Sequence, residues 1–305
     1  MDTDFFWEYS LLNNRFLIKN KSPYLFIFPA LAILIAVMVI PVVSSMRLSF
    51  FSWLLRDIRN EPVYVGLRNF QELFKSEYFQ TSIKVTLIFT SSVVVLELIL
   101  GMVMALLLEN GIPGLRLFRT IFILPVMIAP VVVGVVWKFM YNPSYGKINY
   151  FITSLGMEPV GWLSEPRMAL ASIIITDVWQ WTPFVFLLLL AGLQGIPKDL
   201  TDAAKVDGAS YFQNLLHIKL PSLSSIIGIT AVLRLIDAFR GLVVMFIMTN
   251  GGPGVSTEIL SLHLYKTAFT DQRLGKASAV AVVLLSIITL LSIVFISKSL
   301  KDDER

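Results

Sequence analysis

The chain has 305 residues, 56% of them hydrophobic and 15% charged, with a mean hydropathy of +0.75. A soluble globule of this length cannot hide six separate apolar runs from water, so the bilayer is the expected solvent. A formal net charge of +4, zero cysteines and only two histidines, His217 and His263, argue against a nucleic-acid surface, thiolate chemistry, disulfides and a histidine metal centre.

In chain order, residues 1–23 carry Asp2, Asp4 and Glu8 among Phe5, Phe6, Trp7, Tyr9, Leu11 and Leu12. That pattern reads either as an interfacial helix or as a poorly ordered tail. Residues 22–46 form the first apolar run, and its heart at 24–43 is long enough to cross about 30 Å of hydrocarbon. The run exceeds a signal-peptide core and no small-residue cleavage site follows, so it is expected to be retained. Residues 47–81 are polar and aromatic and predict a loop outside the bilayer with a short amphipathic helix. Further spans are predicted at 85–108, 120–137, 168–193, 221–249 and 277–297, giving six helices. Between the third and fourth, Pro143, Gly146, Gly156, Pro159, Gly161 and Pro166 mark a loop of turns. The expected organisation is an all-α integral membrane protein: an N-terminal segment 1–23, a first span 24–46, a loop 47–81, a five-span core 82–298 and a tail 299–305. Lys and Arg are spread about evenly over the two sides, so charge counting leaves the orientation open.

Charges inside the predicted spans cannot face lipid, because each costs roughly 2.5–3.5 kcal/mol near a helix centre on insertion scales. At about 100° per residue, Asp237 falls between Arg234 and Arg240 on one face of the fifth span, with Arg234 and Asp237 at pair-forming spacing. Asp177, Gln180, Trp181 and Phe184 share one side of the fourth, where Pro183 predicts a kink, while Trp179 points away. A rise of about 1.5 Å per residue puts Asp177 and Arg234 both near mid-membrane. Carboxylate, amide, guanidinium and indole at one depth suit a polyol or sugar, through hydrogen bonds to hydroxyls and an aromatic face for the apolar side of the ring. An ion-pair network that only holds the two spans together explains Asp177, Arg234 and Asp237 equally well, and is the reading favoured for Arg240. Glu97, alone in the second span, reads as structural or cavity-lining rather than as a substrate ligand.

The segment 198–221 reads either as a hairpin that merely links two spans or as a docking element. After Pro197, Asp199 or Thr201 is placed to cap a helix through Ala203, Ala204 and Val206. Gly208 permits a sharp turn, and an amphipathic stretch then runs to Pro221. A short, small-faced helix at the membrane surface suits insertion into a partner's groove, with Asp202 and Asp207 available to basic side chains.

The order Asp202-Ala203-Ala204, then Gly208, then Ile218, Leu220 and Pro221, resembles the coupling-loop signature of ABC-importer permeases, with aspartate where the first acid is usually glutamate. The resemblance extends to the sugar-importer, maltose-permease-like branch and covers most of the chain after Gly66. It is carried by Gly66-Leu67-Arg68-Asn69-Phe70, Phe118-Arg119-Thr120, Leu124-Pro125, Trp179 to Pro183, Asp237-Ala238-Phe239-Arg240, Thr249-Asn250-Gly251-Gly252-Pro253 and Ser256-Thr257-Glu258.

The resemblance implies a type I importer permease fold and a coupling loop that docks in a cytoplasmic ATPase subunit through Asp202, Ala203, Ala204, Asp207, Gly208, Ala209, Ile218, Leu220 and Pro221. Both termini would then be cytoplasmic, in a prokaryotic inner membrane. It also implies a second permease subunit, a pair of ATPase subunits carrying ATP and Mg, and an extracytoplasmic substrate-binding protein near the Gly251-Gly252-Pro253-Gly254 loop. The chain itself has no phosphate-binding loop: Gly146-Lys147 is followed by Ile148, and Gly275-Lys276 by Ala277. No hydrolase motif is present either, so neither enzymatic activity nor a cofactor bound by this chain is expected. Disaccharide, oligosaccharide, polyol and glycerol phosphate stay open as cargo, and an ion-gradient-driven carrier using Asp177 or Asp237 is the alternative reading.

Overall fold

The computed structural model describes residues 22–55, 61–109, 111 and 114–303; the predicted N-terminal interfacial segment lies outside them. The chain divides into two units, Met1–Arg47 and Leu48–Arg305. In the first, α1 (Ser22–Leu34) passes through a π turn (Ile35–Val39) towards α2 (Ile40–Leu48). Pro41 has no N–H to offer Val37, and the ladder widens there: the Ile40 N–H reaches back to the Ile35 carbonyl. Phe28, Ile33 and Met38 are exposed on different sides, as in a helix solvated by lipid.

The second unit begins with a two-stranded antiparallel ribbon, β1 (Phe51–Ser52) with β2 (Val63–Tyr64), and the predicted amphipathic helix as α3 (Arg68–Lys75). Asn69 fastens it by donating to the Ser49 and Phe51 carbonyls at 2.8 and 2.9 Å. Helix α4 (Glu77–Leu108) is the second span, starting a full two turns earlier than hydropathy indicates. Its first turns are helical but too polar to register as membrane.

The third span departs from expectation. It is broken into α5 (Leu115–Phe122), α6 (Leu124–Met127) and α7 (Pro130–Met140), with a 93° bend between Leu117–Met127 and Pro130–Met140. Pro130 disfavours helical geometry in the residue before it, and Ile128 and Ala129 are extended. In the following loop α8 (Lys147–Ser154) is organised by Asn149, whose side chain bonds both backbone groups of Val160 and the Trp162 indole. Helix α9 (Pro166–Gly195) covers the predicted fourth span and runs unbroken through Pro183.

Helix α10 (Lys198–Val206), α11 (Tyr211–Asn214), a π turn (Leu215–Lys219) and α12 (Leu220–Ser222) make up the predicted coupling segment. The fifth predicted span is also corrected. Helix α13 (Ser224–Phe239) meets the preceding helix Tyr211–Ser222 at a 63° bend and stops at Arg240-Gly241, and α14 (Leu242–Met248) is a separate piece packed against α7. After α15 (Leu260–Tyr265) and a π turn (Lys266–Thr270), α16 (Leu274–Asp303) is the last span.

Among the described residues, four helices are long and apolar enough to cross a membrane, and the number reaches six if each bent pair is one span. The main core joins Phe89 and Val93 of α4, Ile173 of α9, Leu235 and Phe239 of α13 and Met245 of α14. A second cluster seats Leu223, at the 63° bend, against Leu189 and Leu193 of α9. Gly192 makes that seating possible: a Cβ there would come within 2.7 Å of the Leu223 side chain.

Candidate functional site

Three helices meet at Arg234, whose side chain on α13 is 1% exposed. Its Nε donates to Glu97 Oε2 at 2.5 Å and its Nη2 to Glu97 Oε1 at 2.9 Å, a two-pronged fork onto α4. Nη2 also donates to Asp177 Oδ1 on α9 at 2.9 Å, and Nη1 to Asp237 Oδ2 at 2.7 Å, one turn further along α13. The guanidinium lies over the Trp181 ring, 4.6 Å from its centroid. Burying a charge in this way is tolerable only because each prong of the guanidinium has an anionic partner.

Beside this network lies a cavity of about 110 Å³, lined by Asp177, Gln180, Trp181, Asp237, Arg240 and the Pro130 side of the break. The Pro130 break supplies one anchor, since the Ile128 carbonyl freed there accepts from Gln180 Nε2 at 3.2 Å. Gln180 Oε1 is buried without a hydrogen-bond partner. The Asp237 side chain is 47% exposed, and Arg240 is exposed, with no ion pair among the described residues. A polar wall of this kind can bind hydroxyls: Asp237 as acceptor, Arg240 as donor, Gln180 as acceptor.

Of the residues predicted for this site, Asp177, Gln180, Trp181, Arg234 and Asp237 come together. Phe184 does not line the cavity; one turn beyond Trp181, it packs edge-on to that ring with centroids 6.1 Å apart. Arg240 departs from its structural reading, because the helix ends at Phe239 and leaves the guanidinium at the cavity instead of in an ion pair. Glu97 is the strongest partner of Arg234. The signal in the sequence was a lone acid in one span and a surplus base in another, neither of which can stand unpaired in hydrocarbon. Trp179 points elsewhere, edge-on to Trp137 at 5.4 Å.

The coupling segment has its own local logic. Its first helix has Pro197 in the capping position with no side-chain cap, which corrects the expectation that Asp199 or Thr201 would fill that role; Asp199 instead sits in the first turn, where its charge suits the helix dipole. The end of the helix is closed by paired backbone bonds, Ala209 N–H to the Ala204 carbonyl at 2.9 Å and Gly208 N–H to the Lys205 carbonyl at 3.1 Å, with Gly208 at φ +78°. Ser210 and Gln213 then cap the second helix reciprocally. Asp202, Ala203, Asp207 and Gly208 are exposed, Ala204 is buried beneath them, and Val206 is 87% exposed at the turn. A hydrogen bond from Lys205, at 2.8 Å, holds the Asp202 carboxyl below the usual carboxylate range. Ile218, Leu220 and Pro221 follow in and just after the π turn, which opens because Pro221 lacks an N–H.

Sequence reasoning did not find a third polar cluster. His263 Nδ1 lies 2.8 Å from Glu258 Oε1, and Lys266 donates to Glu258 Oε2 at 2.6 Å and to the Asn250 carbonyl at 2.9 Å. Burial works against the charged Glu258, but the bonds from His263 and Lys266 outweigh it and hold the carboxyl below its ordinary range. Together with the Thr249–Thr257 hydroxyl contact at 2.7 Å, the cluster folds the Gly251-Gly252-Pro253-Gly254 loop onto α15.

Residues 97–301 match the family of binding-protein-dependent transport system inner membrane components. A probable ABC transporter permease protein of Sinorhizobium fredii is 39% identical over 87% of this chain and 85% of its own length. The trehalose/maltose transport system permease protein MalF of Thermococcus litoralis is 37% identical over 91% of this chain and 93% of its own. Among solved structures, a chain of a bacterial alginate ABC transporter in complex with an alginate pentasaccharide-bound periplasmic protein shares the fold, with a TM-score of 0.77 and 22% identity, covering 93% of this chain and 95% of that one. The chain belongs to the binding-protein-dependent transport system inner membrane components.

Proposed function

We propose that the chain is the permease subunit of an ATP-driven importer and moves a carbohydrate inward by alternating access. The observation that carries the reading is the segment 198–221, a doubly closed helix–turn–helix whose exposed tip presents Val206 beside Asp202 and Asp207. A rigid, part-apolar projection on a membrane protein is built for a protein groove, not for water. On this reading Asp202, Ala203, Ala204, Asp207, Gly208 and Ala209 enter a cleft of an ATP-hydrolysing subunit, and Ile218, Leu220 and Pro221 carry its movement into the membrane. The partners are two such subunits holding ATP and Mg, a second permease subunit and a soluble substrate-binding protein outside. This chain holds no cofactor of its own. With each bent pair taken as one crossing the chain crosses six times, and a cytoplasmic docking side then puts both termini in the cytoplasm.

For the cargo, Asp177, Gln180, Asp237 and Arg240 offer acceptors and a donor to neighbouring hydroxyls. Trp181, steadied by Arg234 and Phe184, offers an apolar ring face. The relative from Thermococcus litoralis, named for trehalose and maltose, supports a sugar. At about 110 Å³ the cavity is smaller than the roughly 300–1,000 Å³ of an ordinary ligand pocket, so it supplies one wall of a site that the second permease subunit completes.

The test is uptake of labelled maltose and a panel of other sugars by proteoliposomes holding the assembled complex, with and without ATP on the side of the coupling segment. Uptake that needs ATP and is lost with Gly208→Asp supports the reading. Uptake without ATP, as by a gradient-driven carrier, overturns it.

A further inference from the structure

The coupling segment is joined to the membrane body through the chain at both ends, to α9 before Lys198 and to α13 through Leu223 and the 63° bend. Its second half has two attachments, of which one is that bend. The other is an ion pair between Lys219, the last residue of the π turn, and Glu109, at the C-terminal end of α4. The two side chains are 11% and 12% exposed, 110 residues apart in sequence. The Lys219 ammonium also lies over the Tyr211 ring, 5.6 Å from its centroid, so the same charge grips the start of the second coupling helix. Lys219 is thereby held to α4 on one side and to the coupling segment's own aromatic on the other.

Helix α4 carries a second acid that reaches α13. Glu97 lies twelve residues before Glu109, about 18 Å along an unbroken helix, and forks onto Arg234. The connections close on themselves: coupling segment to α4 through Lys219–Glu109, α4 to α13 through Glu97–Arg234, and α13 back to the coupling segment through the bend. A three-sided frame of this kind does not fold at one corner while the other two hold. A push on helix 198–206 therefore moves α4 and α13 as one body instead of flexing the bend at Leu223, and it arrives at the cavity wall formed by Arg234, Asp237 and Asp177.

We propose that Glu109 and Lys219 are positioning residues of transport: their ion pair is the strut that delivers movement of the coupling segment to the mid-membrane site. The proposal rests on the importer reading above, and the wild-type complex tests that reading first. If ATP-dependent uptake is absent there, the importer reading fails before any variant is compared.

The experiment uses the whole reconstituted complex and measures sugar transported per ATP hydrolysed, with complex assembly and the unfolding midpoint followed alongside. Glu109→Gln and Lys219→Met are each expected to leave the complex assembled and hydrolysing ATP while lowering that ratio roughly three- to thirtyfold, the size of coupling carried through residue networks. The exchanged double variant, Glu109→Lys with Lys219→Glu, is expected to recover most of the ratio. An unchanged ratio in both single variants overturns the proposal. So does an exchanged pair that assembles with a wild-type midpoint but does not restore coupling. A pair that only stabilised the fold would move the midpoint and leave the ratio alone, which also overturns it.

Discussion

Glu97 and Arg234 stand 137 residues apart and meet through bonds of 2.5 and 2.9 Å, with neither side chain more than 1% exposed. Because the fork uses both carboxylate oxygens and two guanidinium nitrogens, it fixes the angle between α4 and α13 as well as their separation. Arg234→Met strands the Glu97 and Asp177 carboxylates in the protein interior and is expected to lower stability by about 3–5 kcal/mol, read from thermal unfolding in detergent. Arg234→Lys should lose much of it too, because a point-like ammonium cannot satisfy Glu97, Asp177 and Asp237 at once. A loss below about 1 kcal/mol in both variants would mean that the fork is incidental.

Asp237 and Arg240 are expected to behave differently. Asp237 gives Arg234 only one of its bonds and is half open to the cavity, and Arg240 has no ion pair among the described residues. Asp237→Asn and Arg240→Ala should each raise the sugar concentration for half-maximal uptake about tenfold, the loss of roughly one charge-assisted hydrogen bond. The unfolding midpoint should barely move for Arg240→Ala and fall only slightly for Asp237→Asn, whose amide oxygen can still accept from Arg234. Uptake kinetics and thermal unfolding on the same preparations check the split, and a shifted midpoint with unchanged uptake would give both residues to the scaffold.

The sequence was legible where a rule is local. Period and length place α4, α9 and α16, i,i+3 spacing pairs Arg234 with Asp237, and the Gly208 turn follows from residue type. It was illegible where one residue overrides a long apolar average. Pro130 turns a predicted straight crossing through 93°, and Arg240-Gly241 ends another, because hydropathy sums over about twenty residues and backbone geometry is decided at one. Long-range partners were illegible for a different reason: Glu97 and Glu109 announce only that they need a cation, and nothing local says that α13 and the π turn supply it.

Gly208 sits at φ +78°, where a side chain costs about 1–2 kcal/mol. Asparagine tolerates this geometry better than a β-branched residue does. Gly208→Val is therefore expected to loosen the turn and Gly208→Asn to loosen it much less. Amide exchange across 204–213 reads this directly, since the protected Gly208 and Ala209 N–H groups should exchange faster in the valine variant. Equal exchange in the two variants would show that the backbone bonds to Ala204 and Lys205 do not depend on the left-handed residue.

The Glu258 cluster makes stability depend on pH in one direction. Burial disfavours the charged carboxylate, but His263 and Lys266 overcompensate, so its folded-state pKa lies below the unfolded value. A group depressed in this way contributes stability above its unfolded pKa, about 4.3 for glutamate, and loses that contribution as pH falls through the lower folded value. Between about pH 6 and pH 3 the wild-type unfolding midpoint should fall more steeply than that of Glu258→Gln, which keeps the shape but has no proton to take up. Above that window the variant should be the less stable protein by a constant margin, since its amide cannot pair with Lys266. Parallel slopes in the acid range would mean that protonating Glu258 leaves the loop over α15 undisturbed.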